Sequence, residues 1–195
     1  MLFIKLTLVP IIILLISLAT RYWGAAVGGL LAGLPSTAAP ITLLLALEYG
    51  ENFAIESAYS TILGVIALSS FCFIYSWCAI KYSWAISLTF SMIVYFFLAF
   101  GVSNISTNVI IACFFVAIVL FLLRANLPKA NISDKNTVVS SKEIIARMIA
   151  SAILVVSVTE LATLLGPSLS GVFSTFPTAA AILLFLHRNF MAQIK

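Results

Sequence analysis

Gly24-Ala25-Ala26-Val27-Gly28-Gly29-Leu30-Leu31-Ala32-Gly33-Leu34-Pro35-Ser36-Thr37 is apolar enough to lie in a membrane, yet it is crowded with glycine and closed by a proline. Proline lacks the N–H that continues a helix, and its ring clashes with the preceding turn, so a helix through this stretch opens around residues 31–35. Carbonyls freed inside hydrocarbon cannot face lipid and must be buried in protein or line a polar cavity. The stretch has an echo 142 positions later, where Gly166, Gly171 and Pro177-Thr178 repeat Gly24, Gly29 and Pro35-Ser36. At the same offset Lys5 falls on Arg147, Ser17 on Thr159 and Ala38 on Ala180. A shared G-x4-G-x5-P-[S/T], preceded at equal distance by a basic residue and an apolar run, reads as an internal repeat covering about 5–50 and 147–192.

The rest of the chain gives this motif its setting. Of 195 residues, 63% are hydrophobic and 8% charged, with a mean hydropathy of +1.22. A soluble domain carries about 25% charged residues, so this inventory predicts an all-α integral membrane protein embedded in the lipid bilayer. The apolar runs are too long for barrel strands, which alternate over about 10 residues. The net charge of +4 is explained by basic residues flanking membrane spans, which argues against nucleic acid as a partner. Cys72, Cys78 and Cys113 all fall in apolar segments and have neither metal-ligand spacing nor a disulfide framework. No cofactor or metal is expected.

Seven transmembrane helices are predicted, at about 6–20, 24–48, 55–80, 84–101, 105–124, 144–165 and 168–187. Residues 125–142, rich in Asn, Ser, Lys and Asp, form the one substantial loop. The chain is thus a single transmembrane domain (1–195), with a five-helix first half (1–124), a loop (125–142) and a partial second half (143–195). Seven crossings place Arg21, Lys81, Arg124, Lys129, Lys135, Lys142, Arg147, Arg188 and Lys195 on one side. Only Lys5 lies on the other, beside Glu48, Glu51 and Glu56. The basic side is cytoplasmic by the positive-inside rule, which puts the N-terminus outside and the C-terminus in the cytoplasm. Trp23, Trp77 and Trp84 then sit at cytoplasmic helix ends, as interfacial aromatics do.

Five helices separate the start of one repeat copy from the start of the next. An odd number reverses direction, so the copies are inverted, and the second is incomplete, covering equivalents of only the first two helices. Inverted repeats whose interrupted helices meet near the midplane are a recurring plan of secondary transporters. After the first break Ser36 and Thr37 begin a new half-helix, and Pro177-Thr178 does the same from the opposite direction. Their unpaired N–H groups favour a carboxylate or other anion. The candidate substrate-binding residues are therefore Gly29, Gly33, Pro35, Ser36, Thr37, Gly171, Thr175, Pro177 and Thr178. The same glycines allow a plainer reading, because Gly24 with Gly28 and Gly29 with Gly33 have the spacing of close helix packing.

Glu160 is the candidate proton-coupling residue, because an intramembrane carboxylate is expensive and usually faces a cavity or a partner. Its alternative is a residue at the outer interface that reaches headgroup water or pairs with Lys5. Ser57, Ser60 and Thr61, beside Glu56, either line an outer vestibule or bond backbone carbonyls. His187, next to Arg188 at the cytoplasmic end, reads as a headgroup contact.

The phrases Gly28 to Pro35, Leu47-Glu48-Tyr49-Gly50, Gly166-Pro167-Ser168-Leu169-Ser170-Gly171, Phe176-Pro177 and His187-Arg188-Asn189 together resemble a group of small bacterial multipass inner-membrane proteins with two Gly/Pro-interrupted helix repeats. That resemblance implies a bacterial inner-membrane location and covers both halves of the chain. Two functions follow from the whole reading. One is a transporter or permease-like protein for a small anionic or zwitterionic solute, coupled to protons through Glu160. The other is a non-transporting subunit or scaffold that assembles with itself or a partner membrane protein through its Gly-rich faces. An enzyme is not expected: there is no H-E-x-x-H, no aspartate pair and no nucleophile with a base beside it.

Overall fold

A computed structural model describes residues 2–23, 37–105, 108–128 and 141–178. These residues are all-helical: α1 (Leu2–Trp23), α2 (Ala38–Tyr49), α3 (Glu51–Lys81), α4 (Trp84–Ser103), α5 (Val109–Ala125), α6 (Ser141–Glu160) and α7 (Ala162–Ser174). Two of them, α3 and α4, are long and apolar enough to cross a membrane. At 1.5 Å per residue they measure about 46 and 30 Å, against roughly 30 Å of hydrocarbon. The apolar stretch Thr7–Ala19 of α1, and α2 and α5, are shorter.

The most extensive helix pairs are α3 with α4, α3 with α7 and α1 with α6. Lys5, near the start of α1, reaches Glu160 at the end of α6, so that last pair is antiparallel. Val9, Ile13, Ile41, Leu44, Leu45, Val155 and Val158 form the apolar core between α1, α2 and α6. A second cluster, around Leu63, Ile66, Val102 and Val116, joins α3, α4 and α5. The indole of Trp77 donates to the Asn126 carbonyl (3.1 Å), which fixes the end of α3 beside the end of α5.

Beside these apolar clusters the interior holds many small hydroxyl residues, and the surface carries large apolar side chains. Buried positions include Ser17, Ser57, Ser60, Ser87, Ser91, Ser151, Thr159, Ser170 and Ser174, while Phe90, Phe97, Ile110, Phe114 and Phe121 are exposed. The buried hydroxyls bond mostly to carbonyls three or four residues back, as Ser91 does to Ser87 (2.7 Å) and Thr159 to Val155 (2.8 Å). That local bond satisfies a polar group without a cross-helix partner.

Two turns depend on glycine. Gly50 joins α2 to α3 at φ 89°, ψ 172°, and Gly166 kinks α7 at φ 72°, ψ 171°. Positive φ with extended ψ is essentially restricted to glycine and costs other residues about 1–3 kcal/mol. Nothing lies within 4 Å of a Cβ placed at either position, so the cost is purely in the backbone. Gly50→Ala and Gly166→Ala are each expected to lower unfolding free energy by about 1–3 kcal/mol in mixed-micelle titrations. Wild-type stability in both would contradict these conformations.

The helix boundaries refine the sequence reading. The predicted helix 144–165 ends at Glu160, one turn earlier, with Leu161 leaving helical geometry at ψ 2°. A further turn runs to Gly166, where Pro167 then opens the second part of α7 in the first-turn position that tolerates its missing N–H. The predicted helix 168–187 stops at Ser174, and its remainder beyond Thr178 lies outside the described residues.

Candidate functional site

Pro177 organises the end of α7. With no N–H at Pro177, the Phe173 carbonyl cannot receive its usual partner and instead accepts the Phe176 amide at 3.0 Å. The turn tightens throughout: the Thr175 amide goes to Val172 (3.1 Å), not to Gly171, and the Thr178 amide goes to Phe176 (2.7 Å), not to Ser174. The Gly171 and Ser174 carbonyls are thereby released for other donors. The helix break read from Pro177 is present, at residues 175–177.

Those two carbonyls find partners on other helices. The Thr37 hydroxyl donates to the Ser174 carbonyl at 3.3 Å. Thr37 is the residue from which α2 starts after the first glycine-proline motif, and it makes no side-chain cap to its own helix. The start of α2 and the end of α7 therefore meet. Pro40 lies inside the first turn of α2, and the first amides of that helix, at Ala38 and Ala39, have no carbonyl four residues back within it. A positive helix start and a negative helix end thus face one point.

Helix α3 forms the third wall. The Thr61 hydroxyl lies 2.9 Å from the Ser57 carbonyl, 3.0 Å from the Gly171 carbonyl and 3.1 Å from the Ser174 hydroxyl. The Ser174 hydroxyl donates to Gly171 at 2.6 Å. One turn further in, the Thr175 hydroxyl (2.7 Å) and the Tyr95 hydroxyl (3.2 Å) both donate to the Val172 carbonyl. At the outer end of the same seam Ser168 donates to Glu56 at 3.2 Å. Close approach of α3 and α7 rests on Gly171: a Cβ there would overlap the Ser57 carbonyl oxygen and lie 2.9 Å from its carbon. At Gly64 a Cβ would meet the Thr175 hydroxyl at 2.8 Å and the Val172 Cα at 3.1 Å.

Of the residues nominated from sequence, Gly29, Gly33, Pro35 and Ser36 lie outside the described residues. Thr37, Gly171, Thr175 and Pro177 come together at the end of α7, and Thr178 follows directly. Gly171 is a contact surface for α3, with no space above it. Sequence reasoning gave Ser57, Ser60 and Thr61 either a vestibule or bonds to backbone carbonyls; Thr61 makes such bonds, and Ser174 and Tyr95 were missed. Serine, threonine and glycine at 57, 60, 61 and 64 do fall on one face of a helix by i, i+3, i+4 and i+7 spacing, which was the available signal.

Glu160 stands apart from this cluster. The Lys5 ammonium bridges Glu48 (2.7 Å) and Glu160 (2.8 Å), tying α1, α2 and α6 together at one end. Beside it the Tyr49 hydroxyl donates to the Thr159 carbonyl at 2.8 Å. The Lys5 side chain is 3% exposed, that of Glu48 17% and that of Glu160 57%. Glu160 thus takes the Lys5 pairing that was its alternative reading. Among the described residues no group of three His, Cys, Asp or Glu side chains is placed to hold a metal. No family model matches the chain, and no curated protein or solved structure is significantly similar to it.

Proposed function

We propose that this chain is a seven-crossing plasma-membrane protein, in the bacterial inner membrane, that carries a small zwitterionic or anionic solute past the meeting point of two helix breaks. The observation that supports it best is the bond from Thr37, at the start of α2, to the Ser174 carbonyl, at the end of α7. Breaks joined only by packing need not bring a helix start against released carbonyls. Here the positive start of α2 suits a carboxylate and the negative end of α7 suits an ammonium group. Thr61 lies six residues into the span read at 55–80, about 9 Å along it, or roughly a third of the thickness of the hydrocarbon.

The membrane setting is supported by the two helices long and apolar enough to cross a bilayer and by the many exposed Phe and Ile side chains. Antiparallel packing of α1 on α6, the leading helices of the two copies, is the arrangement an inverted repeat requires. In this reading Glu160 is the proton-coupling candidate through its bond to Lys5, which its protonation would weaken.

The scaffold reading keeps one observation in its favour, the direct seating of Gly171 on the α3 backbone. The two are separated by a thermal-shift screen of the purified protein against organic acids and amino acids at two pH values. A solute-dependent rise in melting temperature, lost in Thr37→Val, is expected. Absence of any shift across the screen would sink the transport reading. A response in Glu160→Gln identical to wild type at both pH values would remove its coupling role alone.

A further inference from the structure

We infer that the corner where α3 ends, α4 begins and α5 ends binds one anionic phospholipid, whose phosphodiester is shared by Lys81 and Arg124. The distribution of charge over these three helices points there first. From Glu51 to Ala125 the sequence holds only four charged residues. Glu51 and Glu56 stand at the start of α3, Lys81 is its last residue, and Arg124 lies in the last turn of α5. No Asp or Glu occurs between Tyr75 and Leu88 or between Leu120 and Pro128. Lys81 and Arg124 are both exposed, and neither forms an ion pair among the described residues. The corner thus carries two positive charges, and the helix ends that build it supply no anion.

Helix lengths set the level of this corner in a bilayer. The 20 residues of α4 measure about 30 Å, the thickness of the hydrocarbon. With Ser103 at one face, Trp84 stands at the other, and Lys81, three residues before it, lies among the headgroups. The 17 residues of α5 return about 25 Å from the Ser103 face and bring Arg124 just short of the same level. There its stem lies along hydrocarbon while its guanidinium reaches outward. Trp77 and Tyr82, 48% and 57% exposed, flank this level as interfacial aromatics do.

One bond holds the two cations in a fixed relation. The Trp77 indole donates to the Asn126 carbonyl at 3.1 Å. Lys81 follows Trp77 by four residues on the same face of α3, and Arg124 precedes Asn126 by two. Asn126 is itself anchored, its side-chain amide donating to the Leu122 carbonyl at 2.8 Å and its backbone amide to Leu123 at 3.2 Å. A guanidinium takes two oxygens of one phosphate in a fork, and an ammonium adds a point charge beside it. Exposed Phe121 and Phe114 continue inward from Arg124 along α5, an apolar track for the acyl chain of the same molecule. A lipid with its own ammonium group sets that charge against Lys81 and Arg124, so the corner selects headgroups of net negative charge. The site requires α3 and α4 to cross a bilayer and is independent of any carried solute.

The test is thermal unfolding of the purified full chain in dodecyl maltoside micelles. Phosphatidylglycerol replaces phosphatidylcholine stepwise at constant total lipid and constant ionic strength. Phosphatidylglycerol is expected to raise the melting temperature along a saturating curve by about 3 °C or more. Lys81→Gln and Arg124→Gln are each expected to raise the midpoint of that curve about fivefold, the worth of one basic residue at an anionic surface. Neither should change the melting temperature in phosphatidylcholine alone. Lys142→Gln removes the same charge from α6, which touches neither α3 nor α5 among the described residues, and should move the midpoint by less than about twofold. An equal shift in Lys142→Gln would mean diffuse attraction to the basic side and would overturn the site. Melting curves indifferent to phosphatidylglycerol overturn it as well, and so does an equal rise with soluble glycerol 3-phosphate in place of the lipid. The solute screen is read separately, so the transport reading stands or falls on its own result.

Discussion

Gly171→Ala is expected to cost the protein about 3 kcal/mol or more, the upper part of the range for overpacking a close contact. The single added methyl would overlap the Ser57 carbonyl oxygen and press on the carbonyl carbon and Cα behind it. Both are backbone atoms of α3, so no side-chain rotation relieves the clash. The helices must separate instead, and the Thr61 contacts to Gly171 and Ser174 go with them. The control is Gly101→Ala, where nothing lies within 4 Å of the new Cβ and the helical backbone gains from the exchange. Equilibrium unfolding in mixed micelles should therefore show a large loss for Gly171→Ala and none for Gly101→Ala. Equal stability of the two variants would mean that α3 and α7 are not in backbone contact at this point. The same substitution bears on function. Any solute-dependent stabilisation should fall with it, because the displaced end of α7 carries the Gly171 and Ser174 carbonyls.

What could be read from the sequence follows from how local each cause is. The break at residues 175–177 was legible because it needs only Pro177, whose missing N–H acts on its own turn. One part of the charge assignment was legible too: Lys5, Glu48 and Glu160 were placed at the same end, and they meet in one ion cluster. The bland alternative for Glu160, pairing with Lys5, could be named because both residues interrupt otherwise apolar helices. The α3–α7 seam was not legible. Gly171 and Ser57 are 114 positions apart, and nothing in a run of small and apolar residues says which helix face meets which. Their register is fixed by shape alone. Most of the first glycine-proline motif lies outside the described residues, and the described part of the site is built from Thr37, α3 and the end of α7. The early end of α6 at Glu160 also carries no local signal, since neither glycine nor proline occurs before Gly166.

Removing the Lys5 ammonium is the second change expected to have a large effect, and the exposures of its partners set an order among the variants. Lys5→Met leaves Glu48, whose side chain is 17% exposed, without a counter-charge and close to Glu160. Breaking a buried pair in this way costs about 3–5 kcal/mol, mostly from the charge left behind. Glu48 keeps some contact with solvent, so about 3 kcal/mol, the lower end of that range, is expected. Glu48→Gln leaves Lys5 paired with Glu160 and costs less, about 1–2 kcal/mol. Glu160→Gln removes a carboxylate that is more than half exposed and should cost under about 1 kcal/mol. The double variant Lys5→Met with Glu48→Met, which removes the buried charge together with its partner, should be more stable than Lys5→Met alone. High salt should leave the Lys5–Glu48 contribution nearly intact and reduce that of Lys5–Glu160, since screening acts on exposed charge. An inverted order, with Glu160→Gln the most damaging, would place the working charge pair between α1 and α6 and leave α2 free at that end. The burial of Glu48 and the exposure of Glu160 make Lys5–Glu48 the permanent tie and Lys5–Glu160 the one that can open. It thereby confines any proton-dependent movement to the end of α6, one turn and a kink away from Gly166 and the segment that carries the site.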